Sequence, residues 1–408
     1  MFDLVSILKS GKDADADNEH IKTVFFYQTE KCKSLIEETF RFEGFSEPVA
    51  IENKQEKLTE YIRSKPAEII IIELLKVEDI VVAAQRISNL LPSGSTAVII
   101  GAQDTISIQR QLKQLGFYYL LWPVTKGELT EFVRDIHEQR DRRSGVGGRK
   151  AKRVSIIGAK GGVGATMIAA ELSCVLSEVK HSSCVLVDYN YNEGNLDVML
   201  GLSKFERKKA QQGIVSESLD ASSAKSFMYK KSPKLQLLSV AADELDFNEM
   251  IQYKRSIANA ISSECNFILE DLSASTGLVF NQSNHWLESN CIIIVTNSTV
   301  SSLRDAGRLY GMVNSIAASE RPRVFIVVNH NMPEKYASVK PDEIEKFFKR
   351  KVDLTIPYIK DFADVILDGK RLSDRRNKAS ALLNNLASLV LGEQINKKSF
   401  LFKRSPKG

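Results

Sequence analysis

The sequence is poor in the residues that build metal centres and disulfide frameworks. It has five cysteines and five histidines in 408 residues. The cysteines are Cys32, Cys174, Cys184, Cys265 and Cys291. They show no C-x-x-C spacing and the histidines are scattered, so no zinc site is expected. Several cysteines lie inside apolar runs, which predicts buried thiols in a reducing compartment.

Long apolar runs and a strong charge imbalance are also missing. No stretch approaches the roughly 18 apolar residues of a membrane span, and the amino terminus does not have the pattern of a signal peptide. We therefore expect a cytoplasmic protein. The net charge of +5 is small for this length and forms no domain-scale basic stripe, so nucleic acid is not expected as a partner. The 43% hydrophobic and 26% charged residues fit a soluble globular protein of roughly two or three domains.

The most informative stretch runs from Val154 to Thr166 and reads VSIIGAKGGVGAT. Its first residues, Val154–Ile157, predict a buried strand, and Met167–Glu178 has a helical pattern. A glycine-rich turn between a strand and a helix cradles phosphate, because backbone N–H groups close round the anion at the helix N-terminus. The stretch therefore predicts a phosphate-binding loop. The alternative is a glycine-rich turn that binds no nucleotide.

This loop departs from the usual pattern G-x-x-x-x-G-K-[ST] at two positions. Ala159 stands at the first glycine position and Ala165 at the lysine position. What remains resembles the deviant Walker A loop, KGGxGxT, of the MinD/ParA family of ATPases. The resemblance implies that Lys160 reaches the phosphates of a second subunit and that Thr166 ligates Mg²⁺. The loop residues that it assigns to ATP binding are Lys160, Gly161, Gly162, Val163, Gly164, Ala165, Thr166 and Met167.

Acidic residues at the ends of two later strands suit a magnesium site beside this loop. The strand Cys184–Asp188 ends in one acid, and the strand within Asn266–Ser273 ends in Asp271. Resemblance to MinD relatives places Asp188 beside Mg²⁺ and the γ-phosphate and makes Asp271 the Walker B acid; the alternative is a plain strand-end acid. In the same comparison Asn190 replaces the acid that positions the attacking water. An amide orients water but takes no proton.

Two further positions complete the nucleotide site that the resemblance implies. Asn329, at the end of the strand Arg323–Asn329, would hydrogen-bond the adenine edge, and Pro357 belongs to a segment that closes over the base. Losing the charge at Ala165 removes a large part of phosphoryl-transfer catalysis, so binding should survive while hydrolysis is slow or absent. The direction of Glu270, inside an apolar strand, is left open.

Residues 21–140 alternate strand and helix patterns, which predicts a parallel, doubly wound sheet. The predicted strands are Thr23–Tyr27, Pro48–Ile51, Glu68–Ile72, Ser95–Gly101 and Gly116–Leu121. The predicted helices are Lys31–Glu43, Leu58–Ser64, Val77–Leu91, Thr105–Leu115 and Lys126–Arg140. The pattern resembles a response-regulator receiver domain. The whole chain is thus predicted to be α/β, with two doubly wound parallel-sheet domains.

The active positions of a receiver are replaced in this segment. Gln28 and Thr29 stand where acidic metal ligands should follow the first strand. Glu73 replaces the phospho-accepting aspartate, and Trp122 replaces the lysine of a Lys-Pro pair. These replacements predict an unphosphorylated pseudoreceiver used for docking or dimerisation. The alternative is that Glu73 mimics a phospho-aspartate.

The remaining segments flank or join these two domains. Residues 1–20 are a leader whose second part, from Gly11, is polar. Residues 141–151 form a linker in which glycines supply flexibility and repelling positive charges favour an extended chain; a nucleic-acid patch is the alternative there. Residues 152–395 form the ATPase-like domain. Residues 396–408 form a basic tail with an aromatic cluster, which would give weak peripheral membrane contact at best.

A degenerate receiver joined to a MinD/ParA-like domain resembles the CpaE/TadZ family of Flp/Tad pilus assembly proteins, and the Gly-Ala-Thr loop ending is similar to that family. The resemblance implies an ATP-binding homodimer at the cell pole or the inner face of the membrane. It also implies recruitment of the pilus secretion ATPase and other Tad components. The alternative is a cycling MinD/ParA-type ATPase that positions DNA or other cargo, which should keep the catalytic lysine and aspartate.

Overall fold

A computed structural model describes residues 22–393 apart from 65–66, 92–94, 143–149, 191–193, 203, 211–218, 242–244, 274–284, 319–320 and 376. The chain divides into two compact units, Met1–Arg149 and Lys150–Gly408. The predicted leader and tail, and residues 143–149 of the predicted linker, lie outside the described residues. No helix in the described ranges is long and apolar enough to cross a membrane.

The first unit is built on a five-stranded parallel sheet. Its strands are β1 (Thr23–Tyr27), β2 (Val49–Glu52), β3 (Ile69–Glu73), β4 (Thr96–Gly101) and β5 (Phe117–Leu121). Its helices are α1 (Glu30–Phe42), α2 (Gln55–Ser64), α3 (Ile80–Leu90), α4 (Ile106–Gln114) and α5 (Lys126–Arg142). The strand order is β2-β1-β3-β4-β5, as in flavodoxin-like doubly wound sheets. Each strand and helix predicted for this segment is present, with ends shifted by a few residues.

The central strand β3 explains why this sheet is covered on both faces. All five of its residues are buried, as a parallel strand between two helical layers requires. Ile70 and Ile72 pack into one apolar cluster, whereas Ile69 and Ile71 pack into the cluster on the other face. The run of four isoleucines thus supplies both cores through the two-residue period of a strand.

The second unit holds an eight-stranded sheet in the order β15-β14-β13-β6-β12-β7-β10-β9, parallel except for β9. Its strands are β6 (Lys152–Gly158), β7 (Cys184–Asp188), β8 (Lys208–Lys209), β9 (Met228–Ser232), β10 (Leu235–Leu238), β11 (Val240–Ala241), β12 (Phe267–Asp271), β13 (Cys291–Thr296), β14 (Arg323–Asn329) and β15 (Leu354–Ile356). The short strands β8 and β11 pair separately. The α/β fold with parallel sheets is therefore confirmed; the receiver-like identity of the first unit stays a prediction.

Helices cover both faces of this larger sheet. They are α6 (Ala165–Cys174), α7 (Leu196–Met199), α8 (Ala221–Ser226), α9 (Phe247–Ala260), α10 (Val300–Asn314), α11 (Pro341–Phe348), α12 (Phe362–Leu367) and α13 (Lys378–Leu391). Helices α6 and α13 line one apolar cluster, and α9, α10 and α11 line the other. The predicted helix Met167–Glu178 is found as α6 followed by a π-helical turn, Val175–Val179.

The topology brings the motif residues to one edge of the sheet. Strand β6, which leads into the glycine-rich loop, lies between β12 and β13. Strands β7, β12 and β14 run parallel to it, so their carboxyl ends lie at the same edge. Ligands of open α/β sheets bind at this edge. The site must therefore be assembled from Asp188, Asp271, Asn329 and the loop after Gly158.

Candidate nucleotide-binding site

The glycine-rich loop has left-handed turns that only glycine adopts without strain. Gly162 has φ +79° and Gly164, which precedes α6, has φ +90°. A Cβ on Gly164 would lie 2.4 Å from Nδ2 of Asn329. That Nδ2 donates a hydrogen bond to the carbonyl of Val163 at 2.8 Å, and Nδ2 of Asn331 donates to the carbonyl of Gly162 at 3.1 Å. Two amides from the end of β14 thus hold the loop in the turn conformation that anion-binding backbone nests use.

The loop residues divide into a buried and an exposed set. Val163, Ala165 and Met167 are buried in the apolar cluster beneath the loop. Lys160 is exposed, and no described carboxylate forms an ion pair with it; Gly161 and Gly162 are exposed as well. The position of the usual P-loop lysine is therefore a buried methyl group. The cation that the loop itself offers a phosphate is Lys160.

Oxygen ligands for a metal converge beside the loop. Asp188 and Asp271 are register partners on neighbouring strands, and each is 2% exposed. The Thr166 hydroxyl donates to Oγ of Ser273 at 2.7 Å, and the Ser273 N–H donates to Oδ1 of Asp271 at 3.1 Å. Mg²⁺ commonly takes one or two carboxylates and completes its octahedron with phosphate and water. Within the described ranges no cluster of three or more His, Cys, Asp or Glu side chains forms a metal site, so an ion here would depend on that completion.

The two buried carboxylates make the site electrostatically receptive to a cation. Burial raises the pKa of Asp271 from 3.8 to about 7, and the Asp188 carboxylate raises it in addition. Hydrogen bonds from Ser273 and Thr166 lower it only in part. A divalent ion at this place would remove the repulsion and favour the ionised form. The donor set therefore fits Mg²⁺.

Asp188 is held by its neighbours on several sides. Its Oδ2 accepts a hydrogen bond from Oγ of Ser239 at 2.9 Å, and its Oδ1 accepts from the Asn190 N–H at 3.0 Å. A Cβ on Gly194 would lie 2.3 Å from Oδ2, so the close approach of that segment requires glycine. The backbone of Asn190 therefore belongs to the site.

Sequence reasoning missed Lys254 on α9. This residue is 1% exposed, and its Nζ donates to the carbonyl oxygens of Asp188 at 2.7 Å and Asn190 at 3.3 Å. Burial lowers the pKa of Lys254 to about 8; the Asp188 carboxylate opposes that shift and Arg207 adds to it. The sequence did contain one indication that Lys254 is buried: it lies four residues after Met250, on the apolar face of an amphipathic helix.

The two residues predicted to contact the base, Asn329 and Pro357, lie close together in the chain fold. Asn329 is buried, and its Nδ2 is committed to the loop, which leaves Oδ1 as the atom that would accept a hydrogen bond from an exocyclic amino group. Asn329 pairs in register with Ile356 on β15. Pro357 follows directly and is half-buried. The structure thus places Asn329 and Pro357 at the ends of two paired strands, and their role toward a base stays a prediction.

Glu270 faces away from the phosphate side. Its Oε2 accepts from Oγ of Ser155 at 2.9 Å, its Oε1 pairs with Arg153, and the Tyr189 hydroxyl donates to Oε1 at 3.4 Å. Burial raises the pKa of Tyr189 well above its usual value. A buried ion pair needs such additional hydrogen bonds to offset its desolvation. The question left open by the sequence is answered, since Glu270 holds the opposite face of the sheet together.

In the first unit, Glu73, which the sequence predicts at the phospho-acceptor position of a pseudoreceiver, is bonded within its own unit. The side chain is fully buried and accepts hydrogen bonds from the N–H groups of Gln28 at 2.5 Å and Thr29 at 3.0 Å, and from the Thr29 hydroxyl at 2.6 Å. Thr29 also caps the N-terminus of α1. The helix end that could hold an anion is therefore occupied by an internal carboxylate. Trp122 is half-buried against the apolar cluster of that face.

A glycine-rich loop between a central parallel strand and a helix, flanked by two strand-end aspartates, defines a P-loop nucleotide-binding domain. Over 59% of its length the chain is homologous to P-loop ATPases of the MinD/ParA family. The septum site-determining protein MinD of Bacillus subtilis is 26% identical over 255 residues, which cover 59% of this chain and 90% of that protein. MinD of Helicobacter pylori is 25% identical over 268 residues, 62% of this chain and 94% of that one.

Among solved structures, MinD of Pyrococcus horikoshii complexed with Mg-ADP is similar at 20% identity and a TM-score of 0.46, covering 62% of this chain and 100% of that one. No protein-family model matches the chain. The homology supports the MinD/ParA-like, ATP-binding part of the sequence prediction. It does not reach the narrower pilus-assembly family or the receiver-like unit.

Proposed function

We propose that the protein is an ATP-binding localisation and assembly factor for Flp/Tad-type pilus biogenesis, with weak or no ATP hydrolysis. The observation that carries the nucleotide part is the position of the Thr166 hydroxyl: it donates to Ser273, whose N–H donates to the buried Asp271, the register partner of Asp188. The pilus part is supported by the resemblance of the two-domain arrangement to CpaE/TadZ proteins. It includes marking the cell pole, or the inner face of the membrane, and recruiting the secretion ATPase and other Tad components.

The residues of the site favour binding over turnover. Loop N–H groups and Lys160 would hold the phosphates, while Thr166 and Asp188 would ligate Mg²⁺, with Asp271 acting through a water. Ala165 supplies no charge to the γ-phosphate. Asn190 orients water without taking its proton. Because removal of a single stabilising donor typically costs about 10²–10³ in rate, the missing lysine at Ala165 alone should make hydrolysis slow.

Lys160 supports a homodimer with the nucleotides between facing loops. Its side chain is exposed and carries no ion pair with a described residue, so it incurs no desolvation cost until an interface forms. With no charge at Ala165, phosphates bound by one subunit would depend on Lys160 of the other. A slowly hydrolysing dimer is long-lived, which suits a landmark.

The first unit acts in this proposal as a pseudoreceiver that docks other proteins. Glu73 satisfies the anion position from within, so no phosphoryl group is needed to complete it. The weak membrane contact assigned to residues 396–408 concerns a segment outside the described residues.

A binding experiment tests the nucleotide part of the proposal. Calorimetry on nucleotide-free protein should show Mg²⁺-dependent ATP binding that Thr166→Ala weakens and that the exposed strand variant Thr355→Ala leaves unchanged. Turnover by the wild type should stay near the background rate. Absence of any nucleotide binding to the wild type would reject the proposal.

Homology to MinD proteins favours one second candidate, a cycling ATPase that positions DNA or other cargo. Such an enzyme should hydrolyse ATP faster when its cargo surface is present. Comparing turnover alone, with DNA and with vesicles of anionic lipid separates the two candidates. Strong stimulation by either addition would favour the cycling ATPase.

A further inference from the structure

Two cations outside the P-loop motif lie on the metal side of the site. The first is Lys254, whose Nζ donates to the carbonyls of Asp188 and Asn190. No described carboxylate forms a salt bridge with it, although the side chain is 1% exposed. A buried ammonium without an ion pair is costly. Packing alone would favour an apolar side chain, so this position needs a role that uses the donors and the charge.

The second cation is Arg207, which reaches the same aspartate from another direction. Its Nη2 donates to the carbonyl of Gly194, and its Nε donates to Oγ of Ser239 at 3.2 Å. The Ser239 hydroxyl in turn donates to Oδ2 of Asp188 at 2.9 Å. The guanidinium therefore orients the carboxylate through one hydroxyl.

The side chains of Lys254 and Arg207 hold two different segments of main chain next to Asp188. Lys254 fixes the main chain where β7 ends, and it approaches from α9, on the sheet face opposite the loop helix α6. Arg207 fixes Gly194, the residue whose backbone lies against the Asp188 carboxylate. Neither side chain makes a hydrogen bond to the glycine-rich loop within the described residues. Both side chains instead bond to the chain around Asp188, and Arg207 also pairs with Asp197 at 3.8 Å.

We propose that Lys254 and Arg207 are positioning residues that hold Asp188 in its metal-binding place before any ligand arrives. This inference rests on the proposed function, because it concerns the same Mg·nucleotide site. It assigns the positive charges near Asp188 to two residues that lie outside the glycine-rich loop and do not substitute for its missing lysine. Loss of either cation should weaken the metal contribution to nucleotide binding and spare the contribution of the loop.

Hydrogen–deuterium exchange of the nucleotide-free protein tests the positioning directly. Lys254→Met should speed exchange in peptides that contain Tyr189 and Asn190 by several-fold and leave the loop peptides unchanged. The matched control is Arg255→Met, one residue further on α9, where the guanidinium pairs with Glu288 at 2.7 Å. The proposal is overturned if Lys254→Met exchanges at the wild-type rate, or if Lys254→Met and Arg255→Met speed exchange equally. If Lys254→Met does not fold, Arg207→Met decides, with faster exchange expected near Gly194.

Calorimetry with ADP, with and without Mg²⁺, supplies a readout that a merely structural role would not move. Residues that orient a metal ligand typically change metal affinity by about 10–100-fold. We expect Lys254→Met and Arg207→Met to reduce the Mg²⁺-dependent gain in ADP affinity by roughly 10-fold while Mg²⁺-free affinity stays unchanged. An equal fall in both affinities, or none, overturns the proposal. If the wild type binds no ADP, the proposed function fails, and the exchange experiment still decides the positioning role.

Discussion

Replacing Asp271 by asparagine should stabilise the ligand-free protein. The carboxyl group is 2% exposed, and burial raises its pKa from 3.8 to about 7. The folded state therefore holds a proton that the unfolded chain has already released between these two pH values. By linkage, stability falls as pH rises from about 4 to 7, and the full cost is present above pH 7.

The size of this effect follows from the shift. One pKa unit corresponds to about 1.36 kcal/mol, so a shift of about three units gives an upper bound of about 4 kcal/mol. The amide of the substituted asparagine would still offer an oxygen to the Ser273 N–H, which now donates to the Asp271 carboxylate. We therefore expect Asp271→Asn to raise the free energy of unfolding by roughly 2–4 kcal/mol at pH 8 and by little at pH 4.

Urea unfolding in the presence of a chelator measures this difference. Trp286 is fully buried in the second unit, so its fluorescence reports that unit once Trp122 of the first unit is changed to phenylalanine in all variants. Asp364→Asn, at an exposed helical position, is the matched control and should be neutral. Adding Mg·ADP should then stabilise the wild type but not Asp271→Asn.

The reasoning about the metal site fails if Asp271→Asn is less stable than the wild type at pH 8 without metal. That result would mean that the carboxylate is solvated or paired in a way the structure does not show. It also fails if Mg·ADP stabilises both proteins equally, because the aspartate would then contribute nothing to the bound ion.

Three further predictions concern the dimer, the first unit and the loop. Light scattering with ATP should show a dimer for the wild type and a monomer for Lys160→Ala; equal dimerisation would remove the cross-subunit role. Incubation with a small phosphodonor should leave the intact mass unchanged, since Glu73 occupies the acceptor position, and a Mg²⁺-dependent adduct in the first unit would refute this. Gly164→Ala should abolish nucleotide binding, because the left-handed turn is strained and the new Cβ would lie 2.4 Å from Asn329. Gly311→Ala, outside the loop and with nothing within 4 Å of the new Cβ, is its control and should bind normally.

Much of the second unit could be predicted because its motif residues stand at strand ends. In a parallel sheet, carboxyl ends meet at one edge, so the strand-end positions of Asp188, Asp271 and Asn329 predict that all three lie at that edge. In the first unit, the short strand predicted at Pro48–Ile51 lies at Val49–Glu52. A shift of this size is typical of a segment with few strand-forming residues.

The contacts that hold these residues in place were not predictable. Lys254 bonds to carbonyls more than 60 positions away, and main-chain carbonyls carry no sequence signal. The direction of Glu270 depends on which face of β12 it occupies, and it became clear only when Arg153 and Tyr189 were placed beside it. The hydrogen bonds that Glu73 accepts likewise depend on backbone N–H groups that lie just before α1.

The electrostatic layout predicts that nucleotide affinity depends on magnesium. A loop without its lysine, at Ala165, offers phosphates backbone dipoles and the exposed Lys160. The nearest full charges on the other side are the carboxylates of Asp188 and Asp271, which repel phosphate unless a cation lies between them. Nucleotide binding should therefore weaken on chelation, and also below about pH 7, where protonated Asp271 competes with the ion. We therefore predict that the site binds metal and nucleotide together and hydrolyses ATP slowly, because Ala165 and Asn190 replace a lysine and an acid.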